Sequence, residues 1–472
     1  PSPTGDWATF DPNPVVRHRS HYFLDFPMRE HNMTISLPAG SPMAAANFIF
    51  GVGTSSFQIE GAAQSRQPSI WDTFCNQPGA ILDGSDGTMA CDHVARWQQD
   101  VELIAALGVN AYRLSISWPR VVQRDGSANT TGIQWYIQLL DKLAEHNIKA
   151  FVTLYHWDLP QHLEDAGGWL NRQTAYAFRD YVDLVTQAFG QRVYSYATLN
   201  EPMCSAYLGY DIGMHAPGIK DKAAGISAAH HLLLAHGLAM PVLRKNSPDA
   251  LNGIVLNLSP CYPASNSAAD QLAARTANDR LFAWYLRPLL EGAYPDLLAT
   301  LAQAEQPPIL PGDLDIIRQP IDYLGINYYT RAVYRAPDNN TDSAVDCDRG
   351  FVEVPPADHI SRPAPLTDMG WEVYPQGLTD LLVSLQQNYT LPPVYIAENG
   401  AAIADTLEDG QINDPQRTAY LQSHLLAVDA AMQQGVDIRG YFCWSLMDNF
   451  EWSLGYQKRF GIVYVDFKSQ QR

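Results

Sequence analysis

The chain has 472 residues, of which 46% are hydrophobic and 11% are aromatic, and its formal net charge at pH 7 is −19. This composition is typical of a globular enzyme and excludes a disordered or fibrous protein. Because nucleic acids and anionic membranes are bound through lysine and arginine, the acidic balance argues against both as partners.

The first 44 residues are rich in proline and show no periodic pattern. They contain no charged segment followed by an apolar one, so no secretory signal is recognised. We therefore predict an irregular extension over residues 1–44 and one domain over residues 45–472. The six cysteines are scattered without metal-binding spacing, which favours free thiols in a reducing compartment and predicts a cytoplasmic protein. The sequence has no run of about 18 apolar residues, so no membrane span is predicted.

Short apolar runs alternate with amphipathic segments from residue 45 onward. Runs rich in β-branched and aromatic residues predict strands at 48–53, 109–117, 149–155, 193–199, 252–258, 322–327, 393–398 and 437–444. Apolar residues spaced by three and four predict helices at 93–107, 133–147, 173–190, 222–245, 268–302, 374–389 and 414–434. The segments 200–220 and 327–371 are predicted to be long loops.

Strands that alternate with helices predict a parallel sheet, because helical crossovers connect parallel strands. Eight such units predict an α/β fold, a closed (β/α)8 TIM barrel, and an open doubly wound sheet is the alternative. An open sheet usually carries a glycine-rich nucleotide-binding turn after its first strand. The segment "FGVGTSSFQIEG" lacks the third glycine of that turn. The barrel is therefore favoured, with long loops at its C-terminal face.

Polar and aromatic side chains lie at or after the end of most predicted strands, where the active site of a barrel is expected. In chain order they are Gln58, Glu60, Arg113, His156, Trp157, Asn200, Glu201, Asn327, Tyr328, Tyr329, Glu398, Asn399, Trp444, Glu451 and Trp452. Amide, imidazole and carboxylate groups can bind sugar hydroxyls, and an indole can cover the face of the ring. Each residue alone is more simply explained by packing or by a structural hydrogen bond. Together they favour a sugar-binding site.

The sequence resembles glycoside hydrolase family 1, the family of β-glucosidases and β-galactosidases built on a (β/α)8 barrel. The resemblance runs in order from residue 46 to residue 466 and includes "FQIEGA" (57–62), "TLYHWDLP" (153–160), "TLNEP" (198–202), "GINYYT" (325–330), "YIAENG" (395–400) and "YFCWSLMDNFEW" (441–452). The pairing of "NEP" with "ENG" is highly specific. The resemblance implies a retaining β-glycosidase that acts on a small β-glycoside and needs no metal or organic cofactor.

The resemblance also implies roles for individual residues. Glu398 matches the family's nucleophile and Glu201 matches its general acid/base, while Arg113 and Tyr329 match the hydrogen-bonding partners of the nucleophile. Asn200 matches the residue that holds the sugar 2-hydroxyl. The other substrate-binding residues are predicted to be Gln58, His156, Trp157, Asn327, Trp371, Trp444, Glu451, Trp452, Phe460 and Met203, of which Trp371 and Met203 lie toward the leaving group.

The two glutamates are expected to differ in charge. Arg113 and the Tyr329 hydroxyl favour the ionised form of Glu398, whereas Glu201 faces that anion without a cation of its own and should favour its protonated form. For a retaining mechanism the two carboxyl groups are predicted to be about 5–5.5 Å apart.

The sequence departs from the family pattern in three places. The segment "AQSRQPSIWD" (63–72) is short, which predicts a trimmed loop at the rim of the barrel. Met203 stands where many relatives have tryptophan, which predicts a reshaped aglycone side. The chain stops at "VDFKSQQR" (465–472), short of the family's closing helix, and this predicts exposed apolar surface near the eighth strand and the first helix.

Other interpretations are less favoured by particular residues. A 6-phospho-β-glycosidase is the nearest alternative, but Glu451 would repel the phosphate. A thioglucosidase would lack Glu201, and a non-catalytic carbohydrate-binding barrel would have lost one of the two glutamates. The predicted substrates are cello-oligosaccharides and aryl or alkyl β-glucosides, with transglycosylation as a side reaction. The preference among glucose, galactose and fucose, and the oligomeric state, stay open.

Overall fold

The computed structural model describes residues 35–359 and 365–472. Eight parallel strands within these residues form a closed barrel, in which each strand pairs with its neighbours in the chain and the last pairs with the first. They are β1 (Ile49–Gly53), β2 (Ala111–Ser115), β3 (Lys149–Tyr155), β4 (Ser195–Asn200), β5 (Leu251–Asn257), β6 (Tyr323–Asn327), β7 (Val394–Asn399) and β8 (Ile438–Trp444). The predicted closed barrel is confirmed, and the open sheet is excluded.

Helices connect the strands of the barrel. The longer ones are α1 (His93–Ala106), α2 (Thr130–Glu145), α3 (Arg172–Phe189), α4 (Lys222–Asn246), α5 (Ala268–Asn278), α6 (Pro375–Asn388) and α7 (Pro415–Gln433). Shorter α-helices cover Ser56–Ile59, Ile70–Cys75, Trp118–Val121, Gln161–Asp165, Trp284–Leu290, Asp313–Ile317, Ala344–Arg349 and Pro356–His359. π-Helical turns cover Cys204–Asp211 and Asp279–Ala283, and a two-stranded hairpin pairs Leu407–Glu408 with Gln411–Ile412.

The predicted helix over 268–302 is wrong in its last part. The chain continues from α5 through a π-helical turn into the helix Trp284–Leu290, and the helix ends there. Gly292 has a φ of +71°, a left-handed conformation that favours glycine and is common where helices stop. Between Gly292 and the helix Asp313–Ile317, the chain forms a 3₁₀ turn over Asp296–Thr300 and another over Gln303–Glu305.

The two segments predicted to be loops contain regular structure. The π-helical turn Cys204–Asp211 begins shortly after β4. Within 327–371, the strand Ala332–Arg335 pairs with Cys261–Pro263 and with Val352–Glu353 in a small three-stranded sheet outside the barrel. These strands have four residues or fewer, so they are too short to show the alternation by which strands are predicted.

The interior of the barrel is filled by layers of side chains. One buried cluster consists of Ile49, Ala111, Phe151, Tyr323, Tyr395 and Phe442. A second cluster consists of the smaller residues Ala197, Val255 and Ala397, which lie further along their strands. At Gly51 a Cβ atom would lie 2.4 Å from the ring of Phe442, so only glycine lets that ring close the barrel. The small second layer leaves room for polar side chains at the C-terminal ends of the strands.

The helix α4 is long and apolar enough to cross a membrane by length and composition. However, 78% of its most apolar window is buried inside this structure, where α4 packs against α3 and against the turn Cys204–Asp211. A helix that is apolar on most sides is expected when its neighbours cover it.

Most of the predicted N-terminal extension, residues 1–34, lies outside the described residues. Residues 35–44 lie against α7, because the Ser36 backbone N–H donates to Gln422 Oε1 (2.8 Å) and Gln422 Nε2 donates to the Ser36 carbonyl (2.9 Å). Met43, in the short turn Pro42–Ala44, is buried. This part of the extension therefore contacts the barrel domain.

The last described residues lie against α1. The Arg472 guanidinium donates to both oxygens of the buried Asp100 carboxylate, each at 2.8 Å. Asp100 also contacts His93 Nδ1 at 2.7 Å. Exposed apolar surface was predicted near the first helix, and Leu107, the residue just after α1, is 40% exposed.

Candidate active site

The two strands that carry the glutamates both lose their regular register at the C-terminal end. The pairing of β4 with β5 shifts between Ala197 and Asn200, and the pairing of β7 with β6 shifts between Ile396 and Glu398. Glu201 follows β4 with a φ of +46°, in the left-handed region that non-glycine residues rarely adopt. Such shifts re-aim side chains at the rim of a barrel, and strained backbone is concentrated at functional sites.

Glu398 is buried and has a hydrogen-bond donor on each carboxylate oxygen. Arg113 Nη1 donates to Oε1 and the Tyr329 hydroxyl donates to Oε2, each at 2.6 Å. The structure thus places both predicted partners on Glu398. A guanidinium and a hydroxyl thus fix both oxygens of this carboxyl group in place by short hydrogen bonds.

Glu201 is also buried, but the groups that touch it are neutral. Asn327 Nδ2 donates to Oε1 at 2.6 Å, and the Cys204 thiol donates to Oε2 at 3.0 Å. Burial, followed by repulsion from the Glu398 charge, raises the pKa of Glu201 to about 7. A substantial fraction of Glu201 therefore carries a proton at neutral pH.

A chain of hydrogen bonds joins the two glutamates into one polar cluster. Arg113, which binds Glu398, also donates through Nη2 to Asn200 Oδ1 at 2.6 Å. Asn327, which binds Glu201, donates to the same Asn200 oxygen at 3.1 Å. The predicted separation of the carboxyl groups, about 5–5.5 Å for a retaining enzyme, stays a prediction.

His156 is a neutral imidazole within this cluster. Because Asn200 Oδ1 accepts two hydrogen bonds, Asn200 Nδ2 must be the donor to His156 Nε2, at 3.1 Å. The proton of the ring is then on Nδ1, which is buried and has no partner within residues 35–359 and 365–472. Burial, and then the Arg113 charge, lowers the pKa of His156 well below its ordinary value. A buried donor without a partner is suited to a ligand hydroxyl.

Gln58 lies beside a third carboxyl group, Glu451. Gln58 Nε2 donates to the Phe450 carbonyl (2.9 Å) and to Asn449 Oδ1 (3.0 Å), and it lies 3.5 Å from Glu451 Oε2. Gln58 Oε1 accepts from the Ser55 hydroxyl at 2.6 Å. Burial, followed by the charges of the other two glutamates, raises the pKa of Glu451 to about 8.

The predicted aromatic residues surround the carboxyl groups in two connected sets. In the first, Trp444 and Phe460 belong with Ala402 to one buried cluster, against which Tyr329 and Trp371 pack. In the second, the Trp157 and Trp452 ring centroids are 4.6 Å apart, and Trp157 Nε1 donates to the Asn200 carbonyl at 2.9 Å. The His156 ring joins the sets, since it lies 5.8 Å from Trp444 and 6.0 Å from Trp452.

Three polar residues at strand ends have structural partners instead of joining this cluster. Glu60 accepts from Arg120 Nε at 2.7 Å in a buried ion pair. The Tyr328 hydroxyl donates to the Tyr374 carbonyl at 2.6 Å, and Asn399 Nδ2 donates to the Tyr328 carbonyl at 2.7 Å. Glu60, Tyr328 and Asn399 therefore hold the framework of the barrel together. For these three residues the simpler explanation, a structural hydrogen bond, applies.

Two residues of the cluster were missed by sequence reasoning. Cys204 contacts Glu201 because a helical turn follows Glu201, and residues three apart on a helix share a face. Asn449 contacts Gln58, although only its place two residues before Glu451 could have indicated this. Met203 is partly buried against the core, and its role on the aglycone side stays a prediction.

Over residues 35–359 and 365–472, no group of three or more His, Cys, Asp or Glu side chains could hold a metal ion. All six cysteines are free thiols. A cavity of about 700 Å³ lies between the α5 region and α6, and none of the predicted site residues lines it.

Comparison with known proteins relates this cluster to an established family. The sequence model of glycosyl hydrolase family 1 matches residues 42–472. A β-glucosidase from an Agrobacterium species is 42% identical over 434 residues, which cover 90% of this chain and 92% of that protein. A bifunctional β-D-glucosidase/β-D-fucosidase from Bifidobacterium breve is also 42% identical, over 93% of this chain and 96% of that protein.

Solved structures agree with the sequence comparison. The β-glucosidase from Thermotoga maritima in complex with deoxynojirimycin has a TM-score of 0.84 and is 40% identical, covering 91% of this chain and 95% of that chain. An enzyme from Alicyclobacillus herbarius has a TM-score of 0.86 and 43% identity, covering 94% of this chain and 95% of that chain. The chain therefore belongs to glycosyl hydrolase family 1 and is a glycoside hydrolase.

Proposed function

We propose that the protein is a retaining β-glucosidase, which removes terminal non-reducing β-D-glucosyl residues from cello-oligosaccharides and from aryl and alkyl β-glucosides. One observation carries the proposal. Glu398 is held by Arg113 and Tyr329. Within the described part of the chain, the Glu201 carboxyl group hydrogen-bonds to the neutral side chains of Asn327 and Cys204, and its pKa is raised to about 7. One carboxyl group is thus paired with a cation and the other can hold a proton near neutral pH, and double displacement needs both a nucleophile and an acid.

The proposed reaction has two displacements. In the first, Glu398 attacks the anomeric carbon, the bond to the leaving oxygen breaks, and Glu201 gives that oxygen its proton. In the second, Glu201 takes a proton from water, the water oxygen attacks the anomeric carbon, and the bond to Glu398 breaks. An alcohol in place of water gives transglycosylation.

The groups around the glutamates support a sugar ring as the substrate. Asn200 and neutral His156 supply polar atoms within the cluster. Gln58, which lies beside Glu451, supplies a further amide group. The indole of Trp444 gives an apolar surface next to His156. The relatives named as β-glucosidase and as bifunctional glucosidase/fucosidase support glucosides and fucosides as substrates, and we propose galactosides as further ones.

The three carboxyl groups argue against a phosphorylated sugar. Glu398 and Glu201 both act electrostatically on Glu451 and raise its pKa. A 6-phosphate would bring almost two further negative charges to this part of the site. A 6-phospho-β-glycosidase is therefore disfavoured.

A panel of substrates tests the proposed function. We expect hydrolysis of 4-nitrophenyl β-D-glucoside, β-D-fucoside and β-D-galactoside, release of glucose from cellobiose, and no hydrolysis of the 6-phosphoglucoside. Product release is followed directly, and the first-formed anomer is identified by NMR. Hydrolysis of the 6-phosphoglucoside alone, or α-glucose as the first product, would contradict the proposal.

The pH dependence follows from the protonation state of Glu201. The acid must carry its proton, and burial and the Glu398 charge raise its pKa to about 7. We therefore expect kcat/KM for 4-nitrophenyl β-glucoside to fall as pH rises through about 7. In Glu201→Ala, assayed with the same 4-nitrophenyl β-glucoside, this limb should be absent. If it persists in that variant, another group, such as Glu451, is responsible.

A further inference from the structure

The thiol of Cys204 contacts the carboxyl group of Glu201 inside the protein. Sγ lies 3.0 Å from Glu201 Oε2, and the two side chains are both buried. The contact is set by the helical turn after β4, in which the Cys204 N–H donates to the Glu201 carbonyl at 2.9 Å. Burial, followed by the charge of Glu201, raises the pKa of the thiol well above its ordinary value. Cys204 therefore keeps its proton near neutral pH and remains a donor.

The two oxygens of Glu201 face partners of different chemistry. Oε1 accepts from Asn327 Nδ2, an amide group that also donates to Asn200 Oδ1 and so has a fixed orientation. An amide N–H donates only, so a proton on Oε1 would face another donor. A thiol, by contrast, is both a weak donor and a weak acceptor, and its hydrogen can rotate. Oε2 is thus the oxygen that can hold a proton without a conflict.

We propose that Cys204 is a positioning residue for Glu201: its S–H donates to Oε2 when Glu201 is ionised and turns away when Oε2 carries the proton. This inference rests on the proposed role of Glu201 as the acid/base. In the first displacement the proton leaves Oε2 for the departing oxygen, and in the second it returns to Oε2 from water. The thiol stabilises the carboxylate between these transfers and marks Oε2 as the oxygen that exchanges protons.

Other titratable groups face this contact, but none of them hydrogen-bonds to the thiol in the described part of the chain. They are Arg113, Tyr329, Glu398 and Glu451 around Glu201, and Tyr155, Tyr210, His215 and Tyr285 around Cys204. A substitution at Cys204 therefore removes one donor from Glu201 and leaves the hydrogen bonds of these groups in place.

Two substitutions separate the hydrogen bond from packing. Cys204→Ala removes the donor, whereas Cys204→Ser replaces it with a stronger one. Because a donor to the ionised form lowers a pKa, its loss in Cys204→Ala should move the basic limb of kcat/KM to higher pH, by roughly half to one pH unit. In Cys204→Ser the limb should lie at or below the wild-type position. The profiles are measured with 4-nitrophenyl β-glucoside, and Cys347→Ala, a half-buried thiol in the helix Ala344–Arg349, should match wild type.

The possible outcomes each decide the inference. The inference would be supported if the basic limb of Cys204→Ser lies at or below that of wild type in pH, and the limb of wild type lies below that of Cys204→Ala. Coinciding limbs in all three proteins, or equal shifts in both variants, would overturn it. If Cys204→Ala does not fold, as judged by its unfolding temperature, a limb above wild type in Cys204→Ser overturns the inference. The proposed function fails separately, if Glu201→Ala hydrolyses cellobiose as fast as wild type.

Discussion

Glu398→Ala is expected to abolish turnover, with kcat for 4-nitrophenyl β-glucoside reduced by about 10⁴-fold or more, the order found when the nucleophile of a covalent mechanism is removed. Arg113 and Tyr329 each hold one oxygen of this carboxylate at 2.6 Å, so the group is fixed in orientation. Alanine leaves no atom that can bond to the anomeric carbon. The loss should therefore appear in kcat and not only in KM.

Small anions give the same variant a second test. Azide or formate can occupy the space left beside Arg113 and attack the sugar from the side where Glu398 stood. We expect partial recovery of activity, and azide should give the α-glucosyl azide because only one displacement then takes place. Glu408→Ala is the matched control, since Glu408 is an exposed glutamate in the hairpin Leu407–Ile412 and should keep full activity. Full activity in Glu398→Ala would refute its assignment as nucleophile.

The barrel was predictable because its strands are buried on both faces. Such strands are continuous apolar runs, and each of the eight predicted runs ends within two residues of the observed strand. The helix over 268–302 was overextended because its apolar spacing continues past Gly292, where the positive φ ends the helix. Periodicity thus located the elements, while their ends were decided by single backbone positions.

From the ends of the strands alone, the site was predictable in its position but not in its contacts. Glu60 and Glu201 both follow barrel strands, yet Glu60 forms a buried ion pair with Arg120 and Glu201 meets Asn327. The direction of Glu398 depends on the register shift that precedes it in β7, and no pattern of residue types shows that shift. The resemblance to the family supplied the roles that strand ends alone could not.

The buried cation Arg113 is placed unequally between the two proposed catalytic groups. Arg113 divides its hydrogen bonds between Glu398 and Asn200, so its charge is in direct contact with one glutamate only. Glu201 accepts hydrogen bonds from the Asn327 amide and the Cys204 thiol. These neutral donors offset little of the free-energy cost of burying a charged carboxylate. The direction of the Arg113 side chain on β2 therefore adds to burial in making the surroundings of the two glutamates unequal.

The loss of activity in Glu201→Ala is expected to depend on how much the leaving group of the substrate needs a proton. General acid catalysis contributes roughly 10²–10⁴-fold when the departing oxygen needs a proton. We expect kcat/KM for cellobiose to fall by that factor, whereas kcat/KM for 2,4-dinitrophenyl β-glucoside should change little, because a dinitrophenolate leaves without protonation. The comparison uses kcat/KM because this constant reports the first displacement, and kcat with the activated substrate reports the second.

Glu201→Gln separates loss of the proton from loss of the side chain. Glutamine fills the same space beside Asn327 and Cys204, yet it cannot transfer a proton, so its loss should follow the same dependence on the leaving group. With azide, Glu201→Ala should form the β-glucosyl azide, because Glu398 still makes the covalent intermediate and azide replaces the activated water. If Glu201→Ala forms the β-glucosyl azide and Glu398→Ala forms the α-glucosyl azide, the two glutamates lie on opposite faces of the sugar. Equal losses on cellobiose and on the activated glucoside would mean that Glu201 does not protonate the leaving group.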